Sequence, residues 1–113
     1  MINQEQQSPE AKAEGVCHTR IECLQMYEEI PYELKIPVLA MLAQELRFSV
    51  ADIRREYKAD PENWSSAYHF WWGMAVRNLL REKGYGEAYF KVHNLDDIYI
   101  SLVEEALKLH EPI

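Results

Sequence analysis

The segment from Ser66 to Gly84, SAYHFWWGMAVRNLLREKG, constrains the fold more than any other stretch. Trp71, Trp72, Met74, Ala75, Val76, Leu79 and Leu80 cannot share one helical stripe, and no apolar–polar alternation supports a strand. The pattern predicts a central helix over Ser66–Lys83, enclosed by others. Gly84 follows Arg81 and Lys83, where a left-handed C-terminal cap belongs. Within this apolar helix His69, Gly73, Arg77 and Arg81 lie four apart and share a narrow face. A charged Arg on a buried helix is costly unless paired, so Arg77 requires an acid. Gly73 costs about 1 kcal/mol against Ala in a helix, which points to a close approach by another backbone.

The rest of the chain reads as further helices. Val16 to Ile30 carries Ile21, Leu24 and Tyr27 at three-residue steps, and Pro31 ends that helix or opens the next. Ile36 to Leu46 is apolar almost all round, as expected of an enclosed helix. Ser49 and Asp52 read as a capping box for a short helix to Ala59, with Val50, Ile53 and Tyr57 on one face. Asp60-Pro61 breaks it. Tyr85 to His93 fits either a short helical turn or an extended link. Asn94 is placed to cap a last helix, with Asp96 and Asp97 in its first turn and Leu95, Tyr99, Leu102, Ala106 and Leu109 inward. Glu104, Glu105 and Lys108 fall on the wet side. The expectation is an all-α, compact single-domain bundle of about five helices over residues 16–113, with a flexible tail at 1–15.

Composition bounds the function. The chain has 113 residues, 48% of them hydrophobic, enough for a core without a metal or disulfide. The net charge of −7 argues against non-specific nucleic-acid binding. No apolar run approaches a membrane span. The opening MINQEQQSPEAKAE is acidic and polar, unlike a secretory leader. Cys17 and Cys23, on one helix, would be about 9 Å apart along its axis, too far for a disulfide. The expected setting is the cytoplasm. Cys17, His18 and Cys23 match no zinc spacing, and no metal or cofactor is expected.

His69, Gly73, Arg77, Asn78, Asp96 and Asp97 form the most informative polar set. Asp97 can serve the Asn94 cap, so Asp96 is the better partner for Arg77. The set reads first as a structural cluster fixing how helices cross, and second as a ligand pocket, since His shuttles protons and Arg forks onto phosphate or carboxylate. No nucleophile with an adjacent base and no glycine-rich phosphate loop is visible, so the reading leans away from an enzyme.

The strings HFWWGMAVRN and NLDDIYISLVEEAL resemble a family of small bacterial proteins of unknown function. Their shared pattern is His-Phe-x-x-Gly-Met-x-x-Arg-Asn, then an Asp-Asp element and a last helix. It spans about His69 to Leu107 and implies no activity. Trp71 and Trp72 stand where family members often begin with Gly. The Arg77-Asn78 pair also resembles the motif of HEPN ribonucleases. That motif has a His four to six residues after the Arg, and none is present here.

Two surfaces complete the candidates. Leu42 to Lys58 looks like a helix-turn-helix, with Ala43, Leu46 and Ile53 at packing positions and Arg54, Arg55 and Lys58 placed for DNA. Arg47 stands where the turn usually has Gly. Trp64, Tyr68, Trp71 and Trp72 crowd a short stretch and suit either the core or a partner surface. The leading expectation is a non-enzymatic interaction or accessory module whose partner is another protein or a second copy. A helix-turn-helix DNA binder is the alternative. A HEPN-like ribonuclease or a ligand pocket around His69 and Arg77 comes third.

Overall fold

The computed structural model describes residues 19–67 and 72–111, and the chain there is all-α with no strand among the described residues. The expected tail at 1–15, Cys17, His18, Tyr68, His69 and Trp71 lie outside the described residues. Helix α1 spans Arg20–Glu28. Thr19 caps it by a reciprocal pair: its hydroxyl accepts from the Glu22 amide, and its own amide donates to the Glu22 carboxylate at 2.9 Å. The expected apolar stripe packs only at its C-terminal end. Tyr27 and Ile30 are buried, whereas Ile21 is 70% exposed and Leu24 is also largely in solvent.

Helix α2 runs over Tyr32–Glu45, starting right after Pro31 and carrying Pro37 inside it. Only one side is enclosed. Val38 and Leu42 are fully buried, while Ile36, Pro37, Ala40 and Ala43 face solvent. A 3-10 turn, Arg47–Ser49, leads directly into α3, Val50–Ala59. The expected Ser49 capping box does not form, because the turn already supplies near-helical backbone and Ser49 makes no side-chain cap bond. Ile53 is the buried anchor of α3.

The Ser66–Lys83 expectation needs correction at its start and in its place. Trp64–Ala67 is a 3-10 turn, residues 68–71 lie outside the described residues, and the described helix α4 is Trp72–Glu82. It is not central. Gly73, Val76 and Leu80 face inward at helical spacing, while Met74, Ala75 and Asn78 are exposed. Its C-terminus closes on Gly84, at φ +89°, by bonds from the Gly84 amide to Arg81 O and the Tyr85 amide to Leu80 O. The ambiguous stretch holds a single helical turn, α5, Glu87–Phe90.

Asn94 caps a 3-10 turn, Leu95–Asp97, accepting from the Asp96 amide at 3.0 Å. Helix α6, Tyr99–Ala106, follows. The most extensive helix–helix packing is between α2 and α6. Val38 and Leu42 of α2 and Tyr99, Leu102 and Val103 of α6 are fully buried in one core, which Leu95 and Ile98, just before α6, join. The centre of the molecule is therefore the last helix, apolar on several sides, and not α4.

Candidate functional site

The structure gathers polar side chains around α6. Glu104, expected on the wet side, is only 3% exposed. Its carboxylate accepts from the indole Nε1 of buried Trp64 at 2.8 Å and from Arg20 Nη2 at 3.0 Å. His110 Nε2 lies 3.3 Å from the same carboxylate, and His110 Nδ1 lies 2.9 Å from the Tyr57 hydroxyl. One carboxylate thus fastens α1, the 64–67 turn and the segment after α6. The neighbouring Glu105 accepts from the Tyr27 hydroxyl, whose ring carries the buried Lys35 ammonium 3.9 Å from its centroid.

Beside Glu104 lies a cleft of 260 Å³ between α1, the 62–65 stretch, the Leu95–Asp97 turn and α6. Cys23, Asp96, Asp97 and Ser101 share its wall. Burial, then the nearby Asp97 carboxylate, pushes the Cys23 thiol up to about 11. A neutral thiol is a poor nucleophile and a poor metal ligand. Tyr57, His110 and Glu104 follow the hydroxyl–imidazole–carboxylate order of an activated nucleophile. Burial raises the Tyr57 phenol above its ordinary value, so it stays protonated near neutrality. Among the described residues no group of three His, Cys, Asp or Glu side chains could hold a metal ion.

The expected polar set is brought together in part. Arg77 Nε and Asp96 Oδ1 lie 2.9 Å apart, with side chains 11% and 39% exposed. The guanidinium also sits over the Tyr99 ring, 5.0 Å from its centroid. Gly73 makes room for that ring, so the close approach is by a tyrosine side chain and not by another backbone. Burial raises the Tyr99 hydroxyl to about 12, with Arg77 opposing the shift. Asn78 turns outward and accepts from Arg81 at 3.0 Å. Asp97 accepts from the Cys23 thiol at 3.9 Å, while the cap is supplied by Asn94.

The other candidates separate. Trp64 is a core residue and no surface anchor, with Trp72 edge-on to it at 6.3 Å between ring centroids. Arg54 reaches the Leu107 carbonyl at 3.2 Å, and exposed Arg55 pairs with Asp52 at 3.0 Å. Lys58 is exposed. Ala43, assigned to the helix-turn-helix interface, faces solvent, whereas Leu46 and Ile53 are buried.

Sequence reasoning missed Arg20, Tyr57, Glu104 and His110. A signal existed for Glu104. Ile98 just before α6, and Tyr99, Ile100, Leu102 and Val103 within it, leave little of it wet, so an acid in its second turn requires partners. Compared with protein-family models, curated proteins and solved structures, the chain matches none.

Proposed function

We propose that this chain is a non-enzymatic protein-interaction module, with the outward side of α2 as its docking surface. One observation carries the reading. A helix that is buried on one side turns Tyr32, Ile36, Ala40 and Ala43 to solvent on the other, with Ile36 at 51% exposure. Surface helices ordinarily present charged or polar residues there. A contiguous apolar face marks an interaction site more often than scattered single residues do.

The polar groups around α6 support the same reading by being used internally. Glu104 and Arg77 hold helices together, and the Cys23 and Tyr57 hydrogens are firmly bound. A DNA-binding role draws less support, since Arg54 serves the Leu107 carbonyl and Arg55 serves Asp52. A cytoplasmic setting belongs to the proposal and suits the free Cys23 thiol. No described helix is long and apolar enough to cross a membrane.

The test is capture from source-cell extract with the wild-type chain and an Ala40→Glu variant, recovering protein and nucleic acid alike. Protein retained by the wild type and lost by the variant is the expected result. Equal recovery by both, or an eluate dominated by nucleic acid, overturns the reading.

A further inference from the structure

We propose that the occupant of the α2 face is a second copy of this chain, docked antiparallel about a two-fold axis. This rests on the docking reading above and names the partner. The face is graded along its length. Its N-terminal end is bulky, with Tyr32 and Ile36 exposed, and its C-terminal end is small, with Ala40 and Ala43 exposed. The stripe is about 16 Å long at the helical rise. A parallel pair sets large against large and small against small, which splays the helices and leaves a gap. An antiparallel pair sets Tyr32 and Ile36 of one copy over Ala43 and Ala40 of the other, so each bulky group meets a shallow place.

Charge selects the same arrangement. Glu28, Glu29 and Glu33 cluster in solvent at the N-terminal end. At the other end Arg47 is exposed, and Glu45 is matched by Lys83 at 3.9 Å. The N-terminal end is therefore acidic, and the other end carries one net cation, Arg47, whose guanidinium also donates to the Gln44 carbonyl. A parallel pair would stack acid on acid. An antiparallel pair places Glu29 of each copy opposite Arg47 of the other, in the register that seats Ile36 over Ala40. Two antiparallel α2 helices also oppose their dipoles favourably. A self-complementary patch of this kind is what an isologous two-fold interface requires. Phe48, in the turn after α2, is 85% exposed with the Arg47 guanidinium 4.5 Å from its ring centroid.

Sedimentation velocity on the full chain tests this. The wild type should form a dimer. Ala40→Glu, which seats a carboxylate on the partner's Ile36 twice per dimer, should weaken association by about a hundredfold or more. Its melting temperature should stay that of the wild-type monomer, since Ala40 faces solvent and Glu suits a helix. Arg47→Glu should also weaken the dimer, and Glu29→Arg in the same chain should restore it. A wild type that stays monomeric, or a dimer indifferent to Ala40→Glu, overturns the second copy. Failure of Glu29→Arg to restore association overturns the antiparallel register. A monomeric wild type that still captures a protein lost by Ala40→Glu removes only the second copy. Equal capture by both chains removes the docking face itself.

Discussion

A methyl group at position 73 would meet the Tyr99 phenol, with ring carbon Cζ 3.0 Å away. Overpacking of this kind costs about 1–3 kcal/mol, while Ala in place of Gly returns about 1 kcal/mol of helix propensity. The steric effect should win, so Gly73→Ala should lose about 1–2 kcal/mol by urea unfolding. Adding Tyr99→Phe removes the nearest atom and should recover part of that loss. A Gly73→Ala protein as stable as the wild type would mean that the ring moves freely. Arg77 and Asp96 call for an asymmetric expectation. Asp96 is partly hydrated, whereas the Arg77 side chain is only 11% exposed and its Nη1 has no hydrogen-bond partner. Asp96→Ala strands the buried cation and should cost about 2–4 kcal/mol. Arg77→Met keeps the stem on the Tyr99 ring and leaves an acid that water can reach, so it should cost less. The double variant should lose less than the sum of the singles. Additive losses in the cycle would show that the pair is not coupled.

Helix ends divide by whether their chemistry is local. Gly84 was legible because only Gly takes φ +89° without cost, and the sequence places it one residue past Lys83. The end of α6 uses the same closure without a glycine. The Lys108 amide bonds Glu105 O, the Leu109 amide bonds Glu104 O, and Lys108 holds φ +56°. No sequence signal marks this end, since the bonds are made by the backbone and Leu109 is anchored by the core. The difference is measurable. Gly84→Ala should destabilise and Lys108→Gly should stabilise, each by about 1 kcal/mol or less in thermal or urea unfolding. A destabilising Lys108→Gly would mean that the lysine side chain contributes more than its strained backbone costs. Ser49 shows the converse. Its sequence context fits a cap, but the preceding 3-10 turn displaces that role. The exposed Ile21 and Leu24 make a similar point, because periodicity marks a helix face without saying what lies opposite it.

At the scale of the molecule, the helical class follows from periodicity and the absence of alternation, which are properties of the chain alone. Which helix becomes the centre does not. Both Trp72–Glu82 and Tyr99–Ala106 are apolar on more than one side, and the choice depends on partners far away in sequence, α2 above all. The Glu104 cluster is non-local for the same reason: Arg20 and Trp64 are 84 and 40 residues distant. This cluster makes up for weak apolar packing of α1, where only Tyr27 within the helix is buried. It should therefore set how firmly α1 is held. Glu104→Gln keeps an acceptor for one donor but loses the charge beside Arg20, and should cost about 1–2 kcal/mol. Glu104→Leu leaves the buried Trp64 N–H without its acceptor and frees Arg20, and should cost about 3–4 kcal/mol. Hydrogen exchange should show amides of α1 losing protection before those of α2. Adding Trp64→Phe to Glu104→Leu removes the stranded donor, so part of the loss should return, since deleting both partners is gentler than deleting one. If Glu104→Leu is as stable as the wild type, or if α1 exchanges no faster, then α1 is held by apolar contacts and the carboxylate is incidental. If the added Trp64→Phe only deepens the loss, the indole acts by bulk and its hydrogen bond to Glu104 contributes little.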